Sequence, residues 1–284
     1  MNGILPLLLI VVAVELSWAC DHPIGHYTSM GCEPSCRRTP TGCPASYKCP
    51  HLTNPAAGMC YLGGKTYSIG DYIPEEETLS GCIAGAFCEK SFENPAATQV
   101  IYAVFDCAEF FMPPLNQTCV RQYKTKSCCS SGQVCGDAVQ QLATCTLGGQ
   151  VFMEGQRMEI PGNPCKSCIC APGFDENKIE SNPNCYETRC FFEIYDTQRV
   201  YGGAIPVYMD YNRCCPSSWR MPEATDKVVK GLPYCNVDAT MTCKYGNLTL
   251  DVGDSLEPFS FEGGVYDCKC AVPPLMHCMV TIKK

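Results

Sequence analysis

The segment with the densest potential for chemistry is Cys-Lys-Ser-Cys-Ile-Cys at 165–170. Cysteines at this spacing hold zinc as thiolates, exchange electrons as a redox dithiol, or form structural disulfides. The compartment decides among these roles, because thiols stay reduced in the cytosol and oxidise in secreted proteins. The chain has 26 cysteines in 284 residues, a density typical of secreted disulfide scaffolds. We therefore interpret the cysteines as disulfide-forming.

The other residue types that perform catalysis stand in no supporting pattern. The sequence contains neither H-E-x-x-H nor G-x-S-x-G, so no metalloprotease or serine hydrolase motif is present. The acidic run Glu75–Glu77 is typical of a solvated loop, and surface or turn positions are expected for the histidines, which are His22, His26, His51 and His277. The sequence predicts a protein that is not an enzyme and carries no metal or other cofactor.

Residues 1–19 indicate the compartment. An apolar core runs from Ile4 to Val14, and the small residues Ser17 and Ala19 occupy the −3 and −1 positions of a cleavage site. This pattern is typical of a secretory signal peptide. The apolar core is too short for a membrane helix, which needs roughly 20 residues. We predict a secreted, extracellular protein without a membrane span, with an uncleaved signal anchor as the alternative.

The charge balance argues against nucleic acid as a partner. The chain has 21 basic and 29 acidic residues, a formal net charge of −8 at pH 7. Adjacent basic residues occur only at 37–38 and 283–284. Nucleic-acid-binding proteins carry a basic patch or stripe, which this sequence lacks.

A short phrase occurs three times, at 60–71, 145–156 and, more weakly, at 243–254. Each begins with Cys and has Gly at +3, Gly or Asn at +4, a large apolar residue at +7 and Gly at +10. The pattern predicts a tight turn, a short half-buried strand and a second turn, since residues at +3 and +4 tolerate left-handed backbone. The positions that define it are Cys60, Gly63, Gly64, Gly70, Cys145, Gly148, Gly149, Gly155, Cys243, Gly246, Asn247 and Gly253.

Two vicinal cysteine pairs keep the same distance from these phrases. Cys128-Cys129 begins 68 residues after Cys60 (128 − 60), and Cys214-Cys215 begins 69 residues after Cys145 (214 − 145). We interpret the chain as two homologous modules followed by a truncated third copy. Eight cysteines fall in 60–135 and eight in 145–215. Two partitions stay open: Cys235 closes back on the N-terminal cysteines, or Cys60 and Cys145 each belong with the preceding group.

The expected fold class is a small disulfide-rich, mainly β protein of tandem extended cysteine-rich modules with little helix. Strand-forming runs occur at 98–105, 189–196 and 205–211, and the best helix candidate is Gly136 to Thr144. The expected organisation is a signal peptide (1–19), an unassigned cysteine-rich block (20–59), module 1 (60–135), module 2 (145–235) and a truncated C-terminal half-module (243–284).

Module 2 carries enough of a pattern to indicate a family. Its opening phrase is followed by C-x-x-C-x-C at Cys165, Cys168 and Cys170, then by Cys185, Cys190 and Cys214-Cys215-Pro216. This resembles a von Willebrand factor type C module; module 1 is a divergent copy, and the tail resembles the first half of one. The resemblance implies small two-part β units that bind other secreted proteins, with growth factors of the TGF-β/BMP class as the best-known partners. In the tail it implies the pairs Cys243–Cys270 and Cys268–Cys278.

Three hypotheses of function follow. The leading one is a secreted, non-catalytic protein that binds an extracellular protein ligand and modulates a growth-factor-type signal. The second is a structural matrix or cuticle protein, for which self-association is expected. The third is a protease inhibitor that uses the N-terminal block, with Arg37 or Arg38 as its specificity residue.

Two further features concern the surface of the protein. The apolar runs 100–105 and 204–211 are each either a core strand or a face for a partner. Asn116 and Asn247 stand in N-x-Thr sequons and are the expected glycosylation sites of a secreted chain.

Overall fold

The computed structural model of the chain describes residues 20, 22–53, 55–92, 94–231 and 241–282. The expected signal peptide and Cys235 lie outside the described residues. The helices are α1 Gly25–Ser29, α2 Pro50–Thr53, α3 Glu75–Thr78, α4 Phe192–Tyr195 and α5 Thr197–Tyr201, with 3-10 helices at Leu79–Gly81, Ala108–Phe110, Gly136–Gln141 and Glu176–Ser181.

The strands are short and follow the modular order of the chain. In the N-terminal block they are β1 Glu33–Pro34 and β2 Tyr47–Lys48. In module 1 they are β3 Met59–Leu62, β4 Lys65–Ser68, β5 Tyr72–Ile73, β6 Ile83–Lys90, β7 Thr98–Val104, β8 Cys119–Gln122 and β9 Gly132–Cys135. In module 2 they are β10 Thr144–Leu147, β11 Gln150–Met153, β12 Arg157–Ile160, β13 Asn163–Ile169, β14 Cys185–Glu187, β15 Ile205–Tyr208, β16 Ser218–Arg220 and β17 Val228–Val229. In the tail they are β18 Thr242–Tyr245, β19 Leu248–Asp251, β20 Ser255–Leu256, β21 Phe259–Phe261, β22 Gly264–Lys269 and β23 His277–Ile282.

The three copies of the phrase form the same hairpin. The opening cysteine faces the +7 residue across the pair in each, as Cys60↔Tyr67, Cys145↔Phe152 and Cys243↔Leu250. Positive φ angles occur at five of the six turn positions, which are Gly63, Gly64, Gly148, Gly149 and Gly246. Asn247 is the exception: its φ is not positive, so of the two turn positions in the third hairpin Gly246 alone has a left-handed backbone.

A further set of contacts joins each hairpin to the sheet that follows it. The N–H of the +10 glycine donates to the carbonyl of the cysteine that bonds to the opening cysteine, at 2.7–2.9 Å in all three units: Gly70 to Cys88, Gly155 to Cys170 and Gly253 to Cys270. The opening cysteines pair with these same residues, as Cys60–Cys88, Cys145–Cys170 and Cys243–Cys270. The phrase thus specifies a hairpin bonded covalently and by hydrogen bonds to the middle of a sheet.

The disulfides follow the modules. Module 1 also contains Cys82–Cys128, Cys107–Cys129 and Cys119–Cys135, and module 2 contains Cys165–Cys214, Cys168–Cys185 and Cys190–Cys215. The tail holds the two pairs that the resemblance implied, Cys243–Cys270 and Cys268–Cys278. These pairs place Cys60 and Cys145 with the modules that they open, which favours the first partition.

The N-terminal block has two internal bridges, Cys20–Cys43 and Cys32–Cys49. Among the described cysteines only Cys36 is unbridged, and its side chain is exposed. Because Cys235 lies outside the described residues, the hypothesis that it closes back on this block stays a prediction.

The tail and module 2 share one sheet, which the sequence did not indicate. Its strand order is β16-β15-β23-β22-β20-β17, with β21 paired to β22. The parallel pairing of β15 and β23, which aligns Val207 with Cys278, joins the two units.

The N-terminal block contributes to the core between module 2 and the tail. Tyr27, which is fully buried, donates its hydroxyl hydrogen to the carbonyl of Val272 at 2.6 Å and accepts the Leu275 N–H at 2.8 Å. The cluster draws on three parts of the chain: Tyr27, Met30, Cys32, Tyr47, Cys49, Phe192, Val200, Ala204, Trp219 and Val272. The block is therefore integral to the packing of the downstream units.

One predicted strand is wrong. The stretch 189–196 contains Phe191 with a φ of +55°, which ends any extended segment, and α4 follows it. The Phe191 ring lies so close to Gly81 that a Cβ there would be 2.6 Å from it. Packing against module 1 thus overrides the strand propensity of the local residues. The helix candidate at 136–144 forms a 3-10 helix that ends at Gln141, and β10 begins at Thr144.

The expectation of a small disulfide-rich, mainly β fold is confirmed. The helices that the structure describes have five residues or fewer apart from six-residue 3-10 segments, and none is long and apolar enough to cross a membrane.

Candidate functional site

The outer face of the module 1 sheet carries an exposed apolar row. Tyr72 on β5 faces Phe87 on β6, and Phe87 faces Ile101 on β7, so the three side chains lie side by side across the strands. They are 46, 46 and 36% exposed, and the Tyr72 and Phe87 rings meet edge to face with centroids 5.1 Å apart. We call Tyr72, Phe87 and Ile101 the module 1 row. An antiparallel sheet with one solvated face is expected to be polar there, whereas these three neighbouring positions are apolar.

The inner face of the same sheet explains why the row points outward. Ile73, Ala86, Cys88 and Val100 alternate with the row residues and are buried with Cys60 and Leu62 of the hairpin and with Phe191 and Ile194 from module 2. Since side chains alternate along a strand, burying this set leaves the row in solvent. The sheet cannot shift by one residue without exposing its core.

The equivalent positions in the other two units differ in chemistry. Cys88 corresponds to Cys170 and Cys270, so Phe87 corresponds to Ile169 in module 2 and Lys269 in the tail. In module 2, Ile169 is buried and its neighbour Arg157 donates to the carbonyls of Ser127 and Cys128. In the tail, Lys269 lies between Ser255 and His277. Module 1 alone among the three presents apolar side chains across the whole row.

A disulfide is also replaced in module 1. The cross-strand pairs Cys168–Cys185 and Cys268–Cys278 correspond to Ala86 and Tyr102, which face each other on β6 and β7. The Tyr102 ring extends instead to Tyr195 of α4, with an edge-to-face centroid distance of 5.1 Å. The loss of the bridge therefore accompanies an aromatic contact between modules.

A shallow groove continues from the row around the edge of β7. It has a volume of about 530 Å³ and runs between β7 and the helices α4 and α5. Apolar side chains from both sides line it, namely Phe92, Ile101, Tyr102 and Tyr195, and Phe92 is 82% exposed. Ile101 belongs to both the row and the groove, so the two features are continuous at β7.

Another exposed apolar segment belongs to the same part of the chain. Phe110, Phe111 and Met112 lie between β7 and β8 and are 67, 77 and 60% exposed. Side chains of this size are seldom so exposed in succession unless they contact a partner. Module 1 thus contains two apolar features that none of the described residues covers.

The structure assigns different roles to the two apolar runs, each of which the sequence analysis left as either a core strand or a face for a partner. In 100–105, residues Ile101, Tyr102, Ala103 and Val104 are all exposed. In 204–211, all four residues of β15 are buried, with Ile205 and Val207 packed in the core that module 2 shares with the tail, and β16 and β23 pair with the two edges of the strand. The first run is a candidate binding face and the second is a core strand.

A buried carboxyl group lies where module 2 meets the module 1 hairpin. Glu193 on α4 is 1% exposed, accepts the Gly63 N–H at 2.8 Å and accepts a hydrogen bond from the Tyr201 hydroxyl at 3.3 Å. Burial raises the pKa of the Glu193 carboxyl to about 7, although these two donors and Arg189 act in the opposite direction. A carboxyl so enclosed cannot reach a substrate, and we assign it to holding the module junction.

Three of the four histidines, for which we expected surface or turn positions, are buried instead: His26, His51 and His277 are 1, 9 and 3% exposed. The fourth, His22, is half-buried, and its ring centroid lies 5.4 Å from that of His277. Burial, with smaller effects of His22 and Lys269, lowers the pKa of His277 to about 3. Burial, with a smaller effect of His277, holds the pKa of His26 well below its usual range. Sequence periodicity could not reveal this cluster, because His277 lies 251 positions after His26 (277 − 26).

Among the described residues, three groups bring potential metal-binding atoms together, and all the cysteines in them are disulfide-bonded. The groups that bring three potential ligand atoms together are Cys82/Cys107/Cys128, Cys190/Cys214/Cys215 and Cys107/Glu109/Cys129. Every cysteine in them is disulfide-bonded, so these sulfurs are not available as thiolates. The Cys165, Cys168 and Cys170 segment is likewise fully bridged.

Both sequon asparagines are exposed. Asn116 lies between β7 and β8, and Asn247 lies at the tip of the third hairpin. The positions are compatible with the glycosylation that the sequence predicts.

Comparison with known proteins gives no match: no family model matches the sequence, and neither a curated protein nor a solved structure is significantly similar to it.

Proposed function

We propose that the chain is a secreted, non-catalytic protein that binds another extracellular protein through module 1. The observation that carries this proposal is the exposed row of Tyr72, Phe87 and Ile101. Aromatic and aliphatic side chains held in a rigid sheet form good anchors, since they lose little conformational freedom on binding. Dense disulfide bonding, with 12 bridges among the described cysteines, is consistent with an extracellular location.

The more specific form of the proposal is modulation of a growth-factor-type signal of the TGF-β/BMP class. It rests on the resemblance of module 2, and more weakly of module 1 and the tail, to von Willebrand factor type C modules. The repeated hairpin and sheet, with matching bridges in the three units, support a common modular origin for these parts. The apolar row is the feature by which module 1 departs from the other two copies, and we assign specificity to it.

A structural matrix or cuticle protein is the alternative, and one experiment separates the two. The tagged mature protein is incubated with conditioned medium under non-reducing conditions, captured, and its companions identified by mass spectrometry, while its size is measured by light scattering. The binding proposal predicts a monomer or dimer that retains a specific secreted protein. Large self-assemblies that retain only further copies of the chain would contradict it and favour the structural alternative.

A further inference from the structure

The arginine pair of the N-terminal block lies on a hairpin that extends β1 and β2. Three backbone hydrogen bonds continue the ladder past the strands at 2.8–3.0 Å: Ser35 N–H to Ser46 O, Ala45 N–H to Arg37 O, and Thr39 N–H to Cys43 O. Arg38 faces Pro44 as an antiparallel bridge within this ladder. The segment around the two arginines is therefore extended.

The two arginines differ in the direction of their backbone hydrogen-bonding groups. Arg37 accepts a hydrogen bond from Ala45, and Thr39 donates one to Cys43, so both point toward the partner strand. In an antiparallel pair the intervening residue points its N–H and C=O the other way. The backbone of Arg38 thus faces away from the hairpin. The opposite side of β2 is covered, because the Tyr47 N–H donates to the Pro273 carbonyl at 2.8 Å. Within the part of the chain that the structure describes, the open edge of this hairpin is therefore that of Arg38.

This open edge is held firmly at its base. The bridges Cys20–Cys43 and Cys32–Cys49 fasten both strands of the hairpin. Tyr47 stacks on the fully buried Tyr27, with ring centroids 4.4 Å apart, which fixes β2 to the core. The side chains of Arg37 and Arg38 remain exposed at the far end. A peptide edge held in its bound conformation loses less entropy on binding than a free loop.

The geometry points to an interaction with an extracellular serine protease that cleaves after arginine. Such a protease has a carboxylate at the base of its specificity pocket, which pairs with the guanidinium group of a bound arginine. It also aligns the chain as an added strand, through backbone hydrogen bonds to one edge. Arg38 supplies both elements, an exposed cationic side chain and an outward backbone, whereas the backbone of Arg37 is engaged within the hairpin. The binding is independent of the module 1 row.

The hairpin is suited to inhibition because its bridges retain both ends of the scissile bond. Hydrolysis of the Arg38–Thr39 bond would add water and leave a carboxylate on Arg38 and an amine on Thr39. Cys32 and Cys43 lie on opposite sides of that bond, and each is bridged within the block. The ends would stay in place in the protease groove, which favours a long-lived complex over release of the product.

The test uses trypsin, the purified full mature chain and a small chromogenic arginine substrate. We expect competitive inhibition by the wild type, by Arg37→Ala and by Arg38→Lys, and a loss of about 100-fold or more in affinity for Arg38→Ala. Chymotrypsin should be unaffected. Arg37 and Arg38 are both exposed, so neither alanine substitution should change stability. Equal thermal melts by circular dichroism verify that the variants fold.

Two results would overturn the inference. One is inhibition of equal strength by Arg38→Ala and the wild type. The other is absence of inhibition together with cleavage at Arg38–Thr39 as fast as in the reduced and alkylated chain, which would make this hairpin an ordinary cleavage site.

Discussion

Replacement of Tyr27 by alanine is expected to destabilise the protein by about 5 kcal/mol, the largest effect of any single substitution that we predict. The fully buried ring stacks on Tyr47, and its hydroxyl contacts the backbone of Val272 and Leu275 in the tail. Removal of a buried aromatic side chain costs about 3–5 kcal/mol, and the polar groups left without partners add to this.

Tyr27→Phe isolates the polar part of the contact. It keeps the ring but leaves the Val272 carbonyl and the Leu275 N–H without their partner, for an expected cost of about 2–3 kcal/mol. Tyr211→Phe is the matched control, since Tyr211 is 53% exposed and should change stability by less than about 0.5 kcal/mol. Urea unfolding with intact disulfides measures all three. A separate early transition of the N-terminal block, with the remaining unfolding unchanged, would refute its integral role in the core.

The second large effect is on the pH dependence of the unfolding free energy, to which the buried histidines and the buried Glu193 contribute with opposite signs. His26 and His277 are buried as neutral rings, and each pKa lies below that of the unfolded chain. Their contribution to stability is therefore complete above pH 6.5 and is lost as the pH falls. The Glu193 pKa of about 7 lies above its unfolded value, so its contribution is complete below about pH 4.5 and is lost as the pH rises toward 7.

Between pH 6 and pH 5, the folded and unfolded states bind different numbers of protons on His26, His277 and Glu193, and this difference sets how the unfolding free energy changes with pH. On His26 and His277 together the unfolded chain holds about two more protons than the folded chain, whereas the folded chain holds about one more on Glu193. The wild type should lose about 1 kcal/mol of unfolding free energy on this one-unit decrease, and Glu193→Gln about 2–3 kcal/mol.

The same substitution should have the opposite effect at alkaline pH. Above pH 7.5, Glu193→Gln should be more stable than the wild type by up to about 3 kcal/mol, because glutamine remains neutral while it accepts the Gly63 N–H. Urea titrations at pH 5, 6 and 8 measure both effects. Parallel pH profiles for the two proteins would refute the assignment of the buried carboxyl.

Local signals in the sequence predicted the repeated units well. The Cys-x-x-Gly phrase combines a turn residue, a bridge and a buried position within about ten residues, so each copy specifies its own hairpin. The even number of cysteines in each module was compatible with disulfides that form within the modules. The two pairs in the tail agree with those that the family resemblance implies. The fold class followed from these features together.

Contacts between distant residues could not be predicted in the same way. The runs 100–105 and 204–211 have similar composition, yet β7 ends its sheet while β15 has neighbours on both edges. The docking of Tyr27 on Val272 joins residues 245 positions apart (272 − 27), and no local pattern encodes it. The strand expected at 189–196 was wrong because Phe191 packs on Gly81 of another module. The apolar row became visible only when the register aligned Tyr72, Phe87 and Ile101.

The central claim is that module 1 binds a secreted protein through this row, and a matched pair of double variants tests it. Phe87→Thr with Ile101→Thr removes two anchors while keeping strand propensity. Val151→Thr with Met153→Thr makes the same kind of change on β11 of module 2, where these side chains are 64 and 36% exposed. Equal thermal melts establish that both variants fold.

The most direct measurement is the affinity of each double variant, relative to the wild type, for the protein captured from conditioned medium. The proposal predicts a loss of about 10–100-fold for the module 1 variant and wild-type affinity for the module 2 variant. Unchanged affinity in the module 1 variant, or an equal loss in both, would contradict the assignment of binding to the Tyr72, Phe87 and Ile101 row.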